Sequence, residues 1–290
     1  MLKPKLSRII AGTMTWGSWG KNLDSKGMVS MMETCLNEQI TTFDHADIYG
    51  GHTTEEDFGR AFGQSGIERN TIQLISKCGI KYLSEKRDYN IKHYDYSAEY
   101  IIWSVENSLK NLQTDYLDVV LLHRPSPLMH TEEIAEAIDK LKHQGKIRSF
   151  GLSNFTPSQT QLIQREIAVD FNQIQFSATH HEPMTDGSLD FMQLNGITPM
   201  CWNPLGTIFR EKNDQTERLN VLLNNLSSKY QVATDTILLA WIVQHPSGIL
   251  PVIGTTSPQR IKNATQALTL KLDLEDWFKI WTESMGTKVP

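Results

Sequence analysis

Cysteine is scarce: Cys35, Cys78 and Cys201 are the only three in 290 residues. They are odd in number, far apart, and form no C-x-x-C pair. That excludes a disulfide framework and a cysteine-held zinc, and it predicts a reducing, cytoplasmic setting. Basic clusters are missing too. Lys and Arg total 28 against 33 Asp and Glu, for a net charge of -5, with no Lys/Arg block. No nucleic-acid partner is expected. No run approaches the ~20 apolar residues that a membrane span needs, and the opening MLKPKLSRII lacks an apolar signal-peptide core. No G-x-G-x-x-G follows an apolar run, so the Rossmann fingerprint is absent. Nor does any repeat, low-complexity stretch or linker divide the chain, so residues 1–290 read as one domain.

What is present is alternation. Short apolar runs occupy 7–13, 40–44, 72–79, 117–124, 147–154, 171–177, 197–203 and 249–255. Such β-branched and Leu-rich runs suit strands buried on both faces. Helical patterns lie between them. Ser97 caps one whose apolar face carries Ile101, Ile102, Val105, Leu109 and Leu112. Thr156-Pro157 and Ser257-Pro258 are helix starts, and Leu141 to Gly145 reads as a helix end. Strands alternating with helices predict a single (β/α)8 TIM barrel, with a doubly wound sheet as the rival. The connection after Lys77, GIKYLSEKRDYNIKHYDYS, is unusually long. It reads as a substrate lid or as a solvated insertion.

A barrel places its site at the C-terminal ends of the strands. Polar residues collect there: Asp44, Lys77, His123, Ser153, Asn154, Gln173, Gln175, Trp202 and Asn203. Tyr49 follows Asp44 in TTFDHADIYGG. A buried Lys beside a Tyr favours the phenolate and draws the phenol pKa from about 10 toward neutrality. An Asp keeps the Lys protonated and aimed, and a neutral His polarises a carbonyl by hydrogen bonding. This is equipment for proton transfer to a carbonyl oxygen. It has no hydride source, which implies a cofactor. Taken singly, each residue has a plainer reading: Lys77 as a strand-end surface residue, His123 as a hydrogen-bonded structural His, Asp44 as a turn cap, Tyr49 as packing.

Motif by motif, the chain resembles the aldo-keto reductase family. GTMTWG (12–17) resembles that family's G-T-x-x-x-G turn, and FDHADIYG (43–50) its F-D-T-A-x-x-Y-G. ISKCG, LLHRP, GLSNF, FNQIQFS, CWNPLG and PVIGTTSPQRI follow in the family's order and spacing. DHADIYGG and the HHEP segment resemble a bacterial branch of oxidoreductases. The resemblance implies a barrel that binds NADP(H) in extended form at the strand C-termini and reduces aldehydes or ketones. It implies a tetrad: Tyr49 as general acid, Lys77 and Asp44 as its tuners, His123 orienting the carbonyl. Gly12 and Thr13 would border the cofactor. Ser153, Asn154 and Gln173 would bind the nicotinamide carboxamide, and Trp202, next to Asn203, would stack on its ring. Leu205 and Gly206 would line the pyrophosphate path. Gly254, Thr255, Thr256, Ser257 and Arg260 would meet the adenosine 2′-phosphate. Gly254 stands where many members carry a phosphate-binding Lys. The preference for NADP(H) over NAD(H) therefore rests on Arg260 and the hydroxyls. His45 stands where Thr is common. A monomer is the family's usual form.

Two other classes compete. A metal-dependent barrel hydrolase would use His45, Asp47, His52 and His123 as ligands, but Lys77 would set a cation beside the metal. No metal is expected. An NADP(H)-binding regulatory protein with slow turnover is the other, and an intact tetrad favours the enzyme. Trp16, His45, Tyr82 and Arg124, with Trp19 and His180-His181, are candidates for the substrate side. Trp277, Phe278 and Trp281 have helical spacing and read as packing.

Overall fold

The computed structural model describes residues 3–289. Eight parallel strands close into a barrel. In chain order they include β1 (Ile10–Gly12), β2 (Thr42–Asp44) and β3 (Gln73–Cys78). A two-strand hairpin, β4 (Ile80–Lys81) and β5 (His93–Tyr94), stands outside the barrel. The barrel then continues with β6 (Leu117–Leu122), β7 (Ile147–Ser153), β8 (Phe171–Gln175), β9 (Thr198–Trp202) and β10 (Leu250–Ile253). Each predicted run contains one barrel strand. The long connection after Lys77 is the hairpin excursion, so its base is hydrogen-bonded rather than irregular.

Strand alternation sorts the side chains. Ile10, Ile75, Val119, Leu121, Phe171, Met200 and Val252 point inward and form an apolar plug. Their neighbours Ala11, Phe43, Leu74, Val120, Leu122 and Cys201 face outward under the helices. Continuing that alternation upward puts Asp44, Lys77, His123, Ser153, Gln173 and Trp202 on the inner side above the plug. The sequence therefore seals the barrel below and leaves polar groups at its C-terminal mouth.

The helical layer is α1 (Ser25–Asn37), α2 (Tyr49–His52), α3 (Thr54–Ser65), α4 (Ala98–Leu112), α5 (Thr131–His143), α6 (Pro157–Gln164), α7 (Ser188–Leu194), α8 (Asp214–Tyr230), α9 (Thr234–Val243), α10 (Pro258–Gln266) and α11 (Leu274–Met285). Local chemistry sets their ends. The Ser97 hydroxyl accepts from the Tyr100 N–H, Thr156 forms a capping box with Gln159 ahead of Pro157, and left-handed Gly145 follows α5. Trp277 of α11 stacks on Trp241 at 5.1 Å, and each indole donates to the other's carbonyl. Trp277 and Trp281 are packing, as their spacing predicted, whereas Phe278 is exposed and leans on their rings. All three cysteines are free and buried. Among the described residues no helix is long and apolar enough to cross a membrane.

Candidate active site

Lys77 is the hub of the barrel mouth. It is 1% exposed, and an ammonium has three hydrogens to place. One goes to Asp44 Oδ2 at 2.7 Å, one to the His45 carbonyl oxygen at 2.8 Å, and one to Tyr49 Oη at 3.0 Å. All three donors are used. Tyr49 therefore accepts through an oxygen lone pair, and its own O–H is not spent on Lys77. Asp44 is held from its other side: Oδ1 accepts from Gln173 Nε2 at 3.0 Å. A carboxylate only accepts, so the Gln173 nitrogen must face it. Tyr49 reaches this network because Gly50 and Gly51 turn the chain behind it with φ of 62° and 66°. A Cβ on Gly50 would lie 2.5 Å from Thr54 Oγ1.

His123 completes the group, its ring 6.2 Å from that of Tyr49. Burial, then the charges of Lys77, Arg124 and Lys92, hold its pKa well below the ordinary value. The ring is neutral and has one N–H to give. Lys77 stays charged: burial works against it, but Asp44 and Tyr49 outweigh burial and raise its pKa. Tyr49 departs from expectation. Burial is the largest influence and raises its phenol pKa above the ordinary value; Lys77 pulls it down, while Asp44 offsets part of that pull. The phenol at rest is a protonated acid, not a group poised near neutrality.

A second chain of bonds fixes Trp202. Its Nε1 donates to Asn154 Oδ1 at 2.8 Å, Asn154 Nδ2 donates to Ser153 Oγ at 2.8 Å, and Ser153 donates to the Gln173 carbonyl at 3.1 Å. Asn154 and Asn203 hold left-handed φ at the ends of β7 and β9. Beyond β9, Arg210 clasps the loop by donating to Asn203 Oδ1 and the Gly206 carbonyl, each at 2.8 Å. Gly206 is tightly placed, since a Cβ there would lie 2.0 Å from Thr179 Oγ1.

Several expected site residues do other work. Gln173 gives one amide N–H to Asp44, which leaves its oxygen and its second N–H for a ligand. Thr13 is buried and its hydroxyl donates to the Asp44 carbonyl at 3.0 Å, so it braces the strand end. Gly12 lies in β1, where a Cβ would crowd Val252 at 3.1 Å and Ile253. His45 is 0% exposed: it faces the helices, contacts Phe58 at 4.4 Å, and its Nδ1 bonds Thr13 Oγ1. That hydroxyl's proton is already given away, so Nδ1 is the donor. Trp16 is 1% exposed and packs on Phe43 and Phe58. Neither His45 nor Trp16 lines the mouth. The aromatic wall is Trp19 instead, 39% exposed and edge-on to Tyr82 at 5.2 Å, with its ring 6.2 Å from Tyr49. His181 lies against Trp281 of α11. The metal reading loses its ligands: His52 Nδ1 donates to the Asp47 carbonyl, Asp47 takes the Ser104 hydroxyl, and His45 faces Phe58. Among the described residues no set of three metal-binding side chains comes together.

The model of the Aldo/keto reductase family matches residues 8–282. The chain belongs to the aldo/keto reductase family. It is an oxidoreductase by that membership. The Bacillus subtilis protein "Uncharacterized oxidoreductase YcsN" is 41% identical over 99% of this chain and 97% of its own length. The "6-dehydroglucose reductase" of Agrobacterium fabrum is 35% identical over 99% of this chain and 97% of its own. Among solved structures, an aldo/keto reductase from Klebsiella pneumoniae in complex with NADP and acetate superposes with a TM-score of 0.79 at 25% identity, covering 95% of this chain and 90% of that one.

Within this aldo/keto reductase fold, one feature escapes motif reading. Asp47 and Glu55 are both buried behind the turn that carries Tyr49. Ser104 donates to Asp47 at 2.9 Å and Ser76 to Glu55 at 2.5 Å, while Asp47 Oδ1 and Glu55 Oε2 have no partner. Burial, then the neighbouring Glu55, pushes the Asp47 acid up to about 8. Burial also raises Glu55. Only the fold brings α3, β3 and α4 around this pair, so local sequence carried no signal of it.

Proposed function

We propose that the protein reduces an aldehyde or ketone to an alcohol with NADP(H), and that Tyr49 gives the proton. One observation carries the assignment: Lys77 spends all three hydrogens, one on the Tyr49 oxygen, and so leaves the phenol proton free for a carbonyl. NADPH, when bound, supplies the hydride to the carbonyl carbon. The Tyr49 proton goes to the carbonyl oxygen. The phenolate left behind faces the Lys77 ammonium, which Asp44 and Gln173 hold in place. The neutral His123 orients the same oxygen through its N–H.

The residues present fit the cofactor. Trp202 is half-buried and its indole is held by Asn154, which suits it to stack on the nicotinamide ring. Gly254 is exposed, and Thr255, Thr256 and Ser257 are partly so. Helix α10 opens on Pro258, and the Ser257 side chain makes no capping bond. Its first-turn N–H groups and the exposed Arg260 suit a phosphate. The Klebsiella relative's NADP supports the same cofactor here. The Agrobacterium relative's name places 6-dehydroglucose in the first panel of substrates.

Tyr49→Phe tests the reading. Aldehyde reduction should fall by roughly 10²–10⁴-fold, while NADPH still quenches tryptophan fluorescence at the wild-type midpoint. Turnover that survives unchanged would remove Tyr49 from the chemistry.

A further inference from the structure

Arg124 follows His123 at the mouth and is held there by its backbone. Its N–H donates to Tyr96 Oη at 3.1 Å, and its carbonyl accepts from that hydroxyl at 2.5 Å. The Tyr96 ring in turn lies flush on Gly79, where a Cβ would be 1.9 Å from the ring. The guanidinium is less well provided for. The side chain is half-buried, and Nη1 reaches only the His123 carbonyl at 3.3 Å and Ser153 Oγ at 3.4 Å. It lies 5.5 Å from the centre of the Trp202 ring. Among the described residues the Nε and Nη2 hydrogens have no acceptor, and no carboxylate pairs with the guanidinium. Arg69 and Arg148 show the usual arrangement: both meet the buried Asp118. A partly desolvated guanidinium normally finds an anion.

The surroundings supply none. Arg124 is near enough to act electrostatically on both Tyr49 and His123. Lys92 adds a second cation at His123. The carboxylate felt at Tyr49 is Asp44, which is already committed to Lys77 and Gln173. A carbonyl held by Tyr49 and His123 thus places the rest of its molecule beside an unmatched positive charge. Resting on the function proposed above, we propose that Arg124 is the specificity residue of this site and reads an anionic group on the substrate. The enzyme then favours oxo acids, aldehydes or ketones that carry a carboxylate, over neutral carbonyl compounds. The planar guanidinium suits a bidentate carboxylate, and a phosphate offers the same chemistry.

Matched pairs test this: succinic semialdehyde against butanal, D-glucuronate against D-glucose, and glyceraldehyde 3-phosphate against glyceraldehyde. The quantity read is the kcat/KM ratio of the anionic to the neutral member. Wild type should favour the anion roughly 10- to 100-fold, mostly through KM. Arg124→Met should bring the ratio close to one, and Arg124→Lys should restore part of it. A preference confined to the third pair would assign the site to phosphate and overturn the oxo-acid assignment. A wild-type ratio near one, or a ratio unchanged in Arg124→Met, would overturn the proposal while reduction of the neutral aldehydes left the proposed function standing. A second measurement does not need turnover. Succinate should bind the wild-type NADPH complex by calorimetry and fail to bind Arg124→Met, whose NADPH quenching persists. Succinate binding equally to both, or to neither, would overturn the anion site. Inertness toward every aldehyde, with succinate binding that depends on Arg124, would instead strike the proposed function.

Discussion

Replacement of Asp47 by Asn exchanges a buried acid for its neutral isostere. In the folded chain, burial and the like charge of Glu55 raise the Asp47 pKa from 3.8 to about 8, against the pull of Ser104, the Ile48 backbone and Arg87. In the unfolded chain it ionises near its ordinary value. Between those two values the folded protein holds a proton that the unfolded chain has released. The group's contribution is therefore most favourable below about pH 4, and it is lost as pH rises toward 8. At pH 7 the folded state must protonate an acid that water would leave ionised. At about 1.4 kcal/mol per pKa unit, that costs roughly 4 kcal/mol. Asparagine bears no such cost, and its amide N–H faces a neighbourhood that contains the Glu55 carboxyl. Asp47→Asn should stabilise the fold by roughly 2–4 kcal/mol at pH 7 and by almost nothing near pH 4. Urea unfolding of both proteins at pH 4.5, 6, 7 and 8 reads the difference directly, provided the m values agree. Parallel pH curves for the two proteins, or a variant weaker at every pH, would show that Asp47 is ionised in the fold and that the argument is wrong.

Two further changes probe the cofactor end and the base of the hairpin excursion. Arg260→Ala should weaken NADPH by roughly 10- to 100-fold and NADH by less than about twofold, since only the former carries the 2′-phosphate; equal losses in fluorescence titrations would show that Arg260 reads something else. Gly79→Ala, at φ 104° with its Cβ 1.9 Å from the Tyr96 ring, should cost roughly 2–4 kcal/mol of unfolding free energy; a variant of wild-type stability would mean that the Tyr96 ring moves freely.

The barrel was legible because its signals are local. Each strand is a short apolar run, and Asp44, Lys77 and His123 lie at or within one residue of the C-terminal ends of three of them. Facing was legible in principle as well. Strand alternation turns His45 outward once Asp44 points in, and an expectation that placed both in the mouth overlooked that period of two. Hydrogen-bond commitments were not legible. Gln173 and Asp44 are 129 residues apart, and nothing near either one announces that an amide N–H is committed to the carboxylate. The Tyr49 pKa was misjudged for a related reason. Sequence shows that a Lys stands nearby, but only the folded mouth shows that burial of the phenol outweighs the ammonium and that Asp44 offsets part of its pull.

The three buried thiols give the molecule a built-in clock. Burial pushes Cys35 of α1 up to about 12 and also raises Cys78 of β3 and Cys201 of β9, so none offers a thiolate at neutral pH. An alkylating reagent meets nothing until the chain opens. Cys35 reports when the helical shell lifts, and Cys78 and Cys201 report when strands on two different sides of the barrel part. Modification under native conditions therefore counts rare excursions from the folded state, element by element, with no substitution introduced.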